Sequence, residues 1–389
     1  MDKISQVLNR GVEEVVVKNN LEALLRSGKK IRLYYGIDPT STQMHLGHTV
    51  PLRKLRQFQE LGHEVIFLIG DFTALIGDTS DKEAMRKALT TEEIQENFKT
   101  YKDQASKVLD FSKVTVKHNS EWLSKLTFTD IVRLASHFTV QQMIERDLYQ
   151  KRLHEEKPIG LHEFLYPLMQ GWDSVEMDVD LEIGGTEQLF NMLAGRELIK
   201  LYKNKEKHVL TVPLLLGTDG RKMSKSYGNT IPLTASATDM YMKLMQINDE
   251  LIIQYFEYLS DVTQSEIEQM KSQIMENSVN PMELKKMLAY EITKQYHGDS
   301  AAHNAANEFK RVVQNKEIME VTFTLKSGTT VLDLSAETSL SRSDIKRLVS
   351  QGAVELDGVR LNDPMTPLKD GCTIRVGKKI SGKIKLKKE

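Results

Sequence analysis

The sequence predicts an α/β protein built on a parallel sheet, followed by an α-helical domain and a small α+β unit. In residues 1–232, short apolar strand patterns alternate with helical patterns, and residues 65–69 are apolar at every position. A strand that is apolar on both sides is buried on both faces, as strands of a parallel sheet are. The alternation therefore predicts a parallel sheet with helices on both faces.

The predicted elements follow in chain order. Strands are expected at 32–37, 65–69, 114–116, 182–185 and 209–212. Helices are expected at 46–61, 90–109, 129–150 and 162–176. Gly62 marks the end of the first helix, and Thr90 with Glu93 three residues on forms a capping box for the second.

The spacing of charged and apolar residues changes after residue 232. From about 235 to 318, charged residues and Leu, Met and Ile recur at spacings of three and four, which predicts an α-helical domain over 233–320. Residues 321–330 are expected to form a linker. The unit 331–389 then contains a predicted helix at 341–351, a short strand at 353–356 and a basic tail.

Composition narrows the class of protein. A length of 389 residues predicts two or three domains, and a net charge of −1 argues against a uniformly basic nucleic-acid binder. The single cysteine, Cys372, fits a reducing compartment. No secretion signal and no apolar run of roughly 20 residues is evident, so we expect a cytoplasmic protein without a membrane partner.

The segment His45-Leu46-Gly47-His48 lies between a predicted strand and a helix start. A helix N-terminus carries unpaired N–H groups and favours an anion. Two histidines three residues apart lie on one face and reach the same phosphates. Gly47 allows a nucleotide to approach the backbone closely. The segment therefore indicates a phosphate site.

A second motif, 222–226, reads Lys-Met-Ser-Lys-Ser and follows a strand and a glycine turn. A loop with lysines at 222 and 225 can close over a polyphosphate and neutralise its charge as pyrophosphate leaves. A solvated basic loop is the simpler explanation of two lysines alone. The five-residue word together with His45 and His48 makes the phosphate site the stronger interpretation.

With these two motifs, the chain resembles the class I aminoacyl-tRNA synthetases. The resemblance implies a doubly wound, Rossmann-like catalytic domain over 1–232, with ATP as substrate and Mg²⁺ bound through its phosphates. His45, His48 and Thr40 would stabilise the phosphates, and Lys222 and Lys225 would hold pyrophosphate. The other nucleotide-binding positions implied are Gly36, Asp38, Gly47, Gly185, Glu187 and Ser226.

Tyr166, Gln170 and Asp173 are spaced by four and three residues, so one face of a helix presents all three. Tyr34 lies on the first strand, towards the crevice where such sheets bind ligands. These residues, with 184–188 (Gly-Gly-Thr-Glu-Gln), resemble the tyrosyl-tRNA synthetases. An ordinary, partly exposed helix face would explain the spacing alone.

That resemblance implies L-tyrosine as substrate and gives each residue a role. Tyr34 and Asp173 would hydrogen-bond the phenolic hydroxyl of tyrosine. Tyr166, Gln170 and Asp78 would hold its ammonium group. Gln188 would lie beside its carboxyl end, and Glu187 would contact the ribose.

Three features depart from the usual tyrosyl pattern. Glu187 stands where aspartate is common, so the ribose contact must accommodate one more methylene group. Tyr35 occupies a position that is often small. Residues 78–82 (Asp-Thr-Ser-Asp-Lys) replace the usual Asp-Pro-Ser-Gly-Lys, so Lys82 is not assigned a role.

The C-terminal unit 331–389 is similar to a small RNA-binding domain named after a ribosomal small-subunit protein. Arg342, Lys346 and Arg347 lie on one helix face and would contact RNA phosphates. A solvated helix with a basic tail is the alternative. The family resemblance further implies a homodimer, with a helical dimerisation insertion at about 120–160, and a tRNA for tyrosine as partner.

Three rival functions remain open at this point. A tryptophanyl-tRNA synthetase shares the fold and chemistry, but Tyr34 with Asp173 argues against it. A small-molecule adenylyltransferase also uses paired histidines, yet it leaves the motif at 222–226 unexplained. A non-catalytic RNA-binding relative would be expected to lose His45, His48 or Lys225, and this chain keeps all three.

Overall fold

The computed structural model describes residues 2–39, 42–77, 90–314, 320–338, 340–377 and 380–387. It divides into two compact units, Met1–His303 and Asn304–Glu389. Thr40 and Asp78, which the sequence assigns to the site, lie outside the described residues, as does Lys82. Within the described residues, no helix is long and apolar enough to cross a membrane.

The strands of the first unit are β1 (Glu14–Val16), β2 (Arg32–Ile37), β3 (Glu64–Ile69), β4 (Val114–His118), β5 (Leu181–Gly185) and β6 (His208–Val212). Its helices up to β6 are α1 (Lys3–Asn9), α2 (Lys18–Arg26), α3 (Leu46–Glu60), α4 (Thr73–Ile76), α5 (Thr91–Ala105), α6 (Ser120–Leu123), α7 (Phe128–Ala135), α8 (Val140–Ile144), α9 (Asp147–His154), α10 (Leu161–Met177) and α11 (Leu189–Lys203). After β6 come α12 (Ala237–Leu244), α13 (Ile252–Leu259), α14 (Gln264–Met275), α15 (Pro281–His297) and α16 (Asp299–Phe309), which runs past the boundary between the units.

The sheet of the first unit has the strand order β1-β6-β5-β2-β3-β4. All neighbouring strands are parallel except β1, a short edge strand that the sequence did not predict. The chain passes from β2 through α3 to β3 in one direction and from β5 through α11 to β6 in the other. Because both crossovers follow the right-handed rule, α3 and α11 lie on opposite faces. The predicted doubly wound α/β fold is confirmed.

One face of the sheet packs against α10 and α11. The buried residues of this core include Tyr34, Ile66 and Leu68 from the strands and Val175, Met177, Leu198 and Ile199 from the two helices. The strands supply alternate residues because side chains of a strand point to opposite faces in turn. α10 is therefore fixed directly over β2, which places its polar residues beside that strand's end.

The helical pattern predicted over 129–150 is confirmed, and three short helices occupy that segment. Thr127 with Asp130 forms a capping box that starts α7, and Thr139 with Gln142 forms another that starts α8. Each capping residue has an extended backbone, which interrupts the preceding helix. α9 follows at Asp147.

The helical region after β6 does not separate at residue 232, since residues up to His303 belong to the first compact unit. Arg10, at the end of α1, shows one reason. Its guanidinium donates hydrogen bonds to the carbonyl oxygens of Phe256 (3.0 Å), Glu257 (3.0 Å) and Ser260 (2.9 Å). These carbonyls lie at the end of α13, where a cation suits the helix terminus.

The second unit contains β7 (Glu320–Lys326), α17 (Arg342–Ser350), β8 (Val354–Leu356), β9 (Val359–Arg360), β10 (Thr373–Val376) and β11 (Ile380–Lys387). Its sheet has the order β7-β11-β10-β8-β9. The linker predicted over 321–330 is wrong, because β7 pairs in parallel with β11 along its whole length. Phe323 and Leu325 alternate with polar residues and are buried in this unit's core, which explains the strand.

Candidate active site

A cavity of about 190 Å³ opens at the carboxyl ends of β2 and β5. These two strands are adjacent, and the chain leaves them in opposite directions, so the cavity lies at the topological switch point of the sheet. The residues that line it are Tyr34, Tyr35, Gly36, Ile37, Asp38, Leu68, Gly70, Thr73, Asn119, Tyr166, Gln170, Asp173, Glu182, Ile183, Gly184, Gly185, Glu187 and Gln188. We call it the switch-point cavity.

α10 contributes three polar side chains to the switch-point cavity, as its spacing predicts. Tyr166 donates a hydrogen bond from its hydroxyl to Oδ2 of Asp38 at 2.8 Å. Gln170 donates from Nε2 to Oε1 of Glu182 at 2.8 Å. The third, Asp173, is one turn further along. The helix therefore brings together the three residues that the sequence proposed for tyrosine recognition.

Asp173 is almost fully buried and accepts two hydrogen bonds. Trp122 donates from Nε1 to Oδ1 at 2.7 Å, and Asn119 donates from Nδ2 to Oδ2 at 3.3 Å. Burial raises the pKa of Asp173 well above its usual range, although both hydrogen bonds oppose the shift. Two fixed donors thus orient a carboxyl group towards the cavity.

Tyr34 is fully buried, and its hydroxyl lies 3.0 Å from Oγ of Ser174. Burial, with the charges of Glu182 and Asp173, raises the pKa of this phenol, so Tyr34 stays protonated. A protonated phenol can both donate and accept a hydrogen bond. Tyr34 and Asp173 together give the cavity a polar end in apolar surroundings.

Sequence reasoning missed several residues that support this site: Asn119, Trp122, Ser174, Glu182, Lys207 and Asn191. Asn119 directly follows β4, so its place at a strand's carboxyl end could have identified it. Asn191 donates from Nδ2 to Oε1 of Gln170 (3.0 Å) and of Gln188 (3.2 Å). No local signal marks the others, because their partners lie far away in the sequence.

A second cavity of about 190 Å³ lies at the start of α3, and we call it the helix-start cavity. It is lined by Tyr35, His45, Gly47, His48, Pro51, Gly185, Glu187, Val212, Pro213, Leu214, Leu215, Lys222 and Met223. The structure therefore brings the two motifs of the sequence together, although they are far apart along the chain. A helix N-terminus, two histidines and a lysine suit a polyphosphate.

The two histidines are held by the helix start itself. His45 is the N-cap residue of α3, and its backbone N–H donates to Nδ1 of His48 at 3.1 Å. Since Nδ1 of His48 is an acceptor, the neutral ring carries its proton on Nε2. The centroids of the two imidazole rings are 3.9 Å apart, and both histidines line the helix-start cavity.

The two cavities share Tyr35, Gly185 and Glu187. A side chain at Gly185 would put its Cβ 2.4 Å from the carboxylate oxygens of Glu187, so only glycine lets that carboxylate fold back here. Burial and the charge of Glu187 raise the pKa of Tyr35. The residues that depart from the usual pattern therefore stand where the cavities meet.

A family model described as "tRNA synthetases class I (W and Y)" matches residues 26–314. A tyrosine–tRNA ligase of Dehalococcoides mccartyi is 46% identical over 385 residues, which cover 97% of both chains. The chain therefore belongs to the family of class I tRNA synthetases that the model describes. A tyrosine–tRNA ligase of Thermotoga maritima is 45% identical over 381 residues, covering 96% of this chain and 95% of the relative.

Solved structures of this synthetase family share the fold. A tyrosyl-tRNA synthetase complexed with L-tyrosine from Archaeoglobus fulgidus has a TM-score of 0.63 at 24% identity, covering 78% of this chain and 98% of the other. A truncated mitochondrial tyrosyl-tRNA synthetase of Aspergillus nidulans has a TM-score of 0.66 at 21% identity, covering 80% and 94%.

Not every predicted site residue reaches the expected cavity. Gly36 and Asp38 line the switch-point cavity at the end of β2, and their contact with the nucleotide stays a prediction. Ser226 is exposed and lines neither cavity. The side chain of Lys225 lies outside the described part of the structure, while Lys222 lines the helix-start cavity.

The loop that carries the motif at 222–226 is held in place by Asn229, which is buried. Its Oδ1 accepts from the backbone N–H of Ser224 at 2.8 Å. Its Nδ2 donates to Oδ1 of Asp219 at 2.7 Å and to the carbonyl oxygen of Lys222 at 3.1 Å. A Cβ at Gly217 would lie 2.4 Å from this side chain, so glycine is required opposite it.

We expect Asn229→Ala to loosen this loop, because three hydrogen bonds to it are lost. Tryptic cleavage at Arg221, Lys222 and Lys225 should become about tenfold to a hundredfold faster, corresponding to a loss of about 1–3 kcal/mol. Time-resolved limited proteolysis with mass spectrometry measures the rate. The control is Asn20→Ala, at an exposed position in α2; equal rates in the two variants would contradict the role of Asn229.

Proposed function

We propose that this chain is a tyrosine–tRNA ligase, which activates L-tyrosine with ATP and transfers it to the terminal adenosine of its tRNA. The observation that carries the proposal is the switch-point cavity, whose buried end is formed by Tyr34 and Asp173. The adjoining helix-start cavity, with His45, His48 and Lys222, supplies a place for ATP. The similarity of this chain to tyrosine–tRNA ligases supports tyrosine, rather than tryptophan, as its substrate.

Tyrosine would lie in the switch-point cavity with its phenol between Tyr34 and Asp173. A buried Tyr and Asp left without a hydroxyl partner are costly, so phenylalanine is rejected. This effect is already established for tyrosyl-tRNA synthetases. Tyr166 and Gln170 would hold the ammonium group, with Asp38 as the acceptor that orients Tyr166.

Gln188 would lie at the carboxyl end of tyrosine, near the junction of the two cavities. Glu187, which lines both cavities, would accept hydrogen bonds from the ribose of ATP. Asp78 and Thr40 are assigned to the ammonium group and the phosphates by the family motif alone. Lys225 and Ser226 are likewise assigned to ATP through the motif of the loop.

In the first step, a carboxylate oxygen of tyrosine attacks the α-phosphorus of ATP, and the bond to the bridging oxygen of pyrophosphate breaks. His45, His48 and Lys222 would neutralise the charge that builds on the phosphates. In the second step, a ribose hydroxyl of the tRNA attacks the activated carbonyl, and AMP leaves. The protein positions the reactants, and it forms no covalent bond with them.

We propose that Mg²⁺ enters with ATP and is held mainly by its phosphates, as Mg²⁺ prefers. Among the residues that the structure describes, no group of three or more His, Cys, Asp or Glu side chains is arranged to hold a metal ion. When bound, Mg²⁺ would supply further positive charge at the leaving pyrophosphate. We place these reactions in the cytoplasm, where the lone Cys372 stays reduced.

We expect Asp173→Ala to lower kcat/KM for tyrosine in ATP–pyrophosphate exchange. The loss of a buried hydrogen-bond partner of the phenol should cost about tenfold to a hundredfold, while kcat/KM for phenylalanine should not fall. The measured quantity is the ratio of the two values. Glu176→Ala, at an exposed position on the same helix, is the matched control. An unchanged ratio in Asp173→Ala would remove this residue from substrate recognition.

The segment from α7 to the start of α10 exposes large apolar side chains. Phe128 and Leu161 are each 82% exposed, and Val140 is 68% exposed. A soluble chain rarely exposes several large apolar side chains within one segment unless another surface covers them. We propose that a second copy of this chain covers them, as the predicted insertion at about 120–160 requires of a homodimer.

A double substitution, Phe128→Asp with Leu161→Asp, should convert the dimer to a monomer. Charges placed in an apolar interface lose hydration without gaining a partner. Sedimentation equilibrium measures the mass. Met275→Asp, at a position 76% exposed on α14, tests whether any exposed apolar residue has the same effect. A wild-type monomer at micromolar concentration would refute the dimer.

In the second unit, Arg342, Lys346 and Arg347 are exposed on α17. Arg342 contacts Asp333 at 2.8 Å and Arg347 contacts Asp344 at 3.2 Å. Exposed ion pairs are weak, so phosphates can replace the carboxylates. We propose that this helix binds the tRNA backbone, with Lys383 and Lys385, exposed on β11, adding positive charge to the unit.

Replacing all three α17 residues by alanine should weaken tRNA binding and leave tyrosine-dependent pyrophosphate exchange unchanged. The slope of log affinity against log salt should fall by roughly two to three, because each phosphate contact releases about 0.7–0.9 counterion. Filter binding over a salt series gives the slope. Lys369→Ala, exposed elsewhere in the unit, is the control. A triple variant with the wild-type slope would assign α17 a structural role.

A further inference from the structure

Lys207, the residue before β6, carries an ammonium group that is completely buried behind the switch-point cavity. Lysine is almost never fully buried unless its charge is paired. Its Nζ donates to Oγ of Ser174 at 2.9 Å, to the carbonyl oxygen of Met192 at 3.1 Å, and to Oε2 of Glu182. These three acceptors use all three donors of the ammonium group.

Two of these acceptors also contact residues proposed to recognise tyrosine. Ser174 Oγ lies 3.0 Å from the hydroxyl of Tyr34. Glu182 accepts from Lys207 on one oxygen and from Nε2 of Gln170 on the other, at 2.8 Å. The ammonium group of Lys207 is therefore linked through one residue, Ser174, to the side chain proposed to bind the phenol of tyrosine. It is linked through another, Glu182, to the side chain proposed to bind the ammonium group of tyrosine.

The packing of α10 against α11 leaves room for this cation. A Cβ built on Gly195 would lie 2.4 Å from Nζ of Lys207 and 2.8 Å from Oγ of Ser174. A Cβ on Gly171 would lie 3.2 Å from the backbone nitrogen of Gly195, so the two helices are close at these glycines. Glycine is less favourable than alanine within a helix. At position 195, however, the absence of a side chain leaves the space that the ammonium group of Lys207 occupies.

The charges around Lys207 explain why a cation is needed there. Glu182 and Asp173 are both buried beside Tyr34, and Lys207 is the cation that contacts the carboxylate of Glu182. Burial lowers the pKa of Lys207, while the charges of Glu182 and Asp173 raise it. The ammonium also lies 5.8 Å from the centre of the Tyr34 ring, within the range of a cation–π contact.

We propose that Lys207 is a positioning residue for amino-acid specificity, because it fixes Tyr34 through Ser174 and Gln170 through Glu182. The inference rests on the proposed function, since it concerns how the cavity distinguishes tyrosine from phenylalanine. Lys207 touches neither substrate nor ATP in this account. It acts by holding the hydroxyl of Tyr34 in the orientation that meets the substrate's phenol.

The decisive variants remove the network without leaving a lone buried charge. Lys207→Met with Glu182→Gln eliminates both charges at similar volume, which is often tolerated in a core. Ser174→Ala breaks the bridge to Tyr34 and leaves the ion pair intact. Gly195→Ala puts a methyl group where the ammonium lies. Lys205→Met is the control, since Lys205 binds Asp178 and Asp180 instead.

We expect each network variant to lower the tyrosine-to-phenylalanine ratio of kcat/KM in ATP–pyrophosphate exchange by about tenfold to a hundredfold, as expected when a buried hydroxyl loses its fixed partner. KM for tyrosine should rise, while KM for ATP stays unchanged. Lys205→Met should keep the wild-type ratio. Thermal unfolding of each variant establishes that the compared proteins are folded.

The outcomes separate the two proposals. A wild-type protein without tyrosine-dependent exchange would refute the proposed function. An active wild type with an unchanged ratio in folded Ser174→Ala would refute the positioning role alone. Equal losses for both amino acids at a constant ratio in Ser174→Ala would make the network structural and also overturn the inference. If the double variant does not fold, Ser174→Ala and Gly195→Ala decide the question.

Discussion

The arrangement of the first unit depends on one constraint: β2 and β5 lie side by side, and the chain crosses over from them in opposite directions. Right-handed crossovers then place α3 and α11 on opposite faces, so neither helix covers the carboxyl ends of the two strands. The crevice left there is the switch-point cavity. The start of α3 forms the helix-start cavity, and Tyr35 and Glu187 line both cavities.

The polar end of the switch-point cavity is formed by buried polar groups, and the two buried carboxyl groups each accept hydrogen bonds. Asp173 accepts from Asn119 and Trp122, and Glu182 accepts from Gln170 and Lys207. A polar network in a low-dielectric interior is rigid when every member has a partner, and costly when one is missing. Gly171 and Gly195 let α10 and α11 approach closely, and the glycine at 195 leaves room for the ammonium group of this network. We propose that specificity for the substrate's hydroxyl depends in part on residues that do not touch it.

The elements with strong periodicity could be predicted from the sequence. The continuous apolar run in β3, the capping box before α5 and the spacing along α10 each specify a structure locally. The meeting of His45 with Lys222 was predicted through the two motifs rather than from periodicity. Lys207 could not be predicted, because its partners on α10, α11 and β5 come together only in the folded chain.

The wrong predictions have physical causes as well. β7 alternates apolar and polar residues like any half-buried strand, but its short length and flanking turns resembled a linker. Within the helical pattern of 129–150, the break at Thr139, where a capping side chain starts a new helix, was not recognised.

The most direct test of the account is ATP–pyrophosphate exchange by the full-length protein with each of the twenty amino acids in turn. We predict exchange with tyrosine alone, with phenylalanine weaker by a factor of about 10⁴–10⁵, the level already established for tyrosyl-tRNA synthetases. Exchange that depends on tryptophan, or no exchange with any amino acid, would contradict the account.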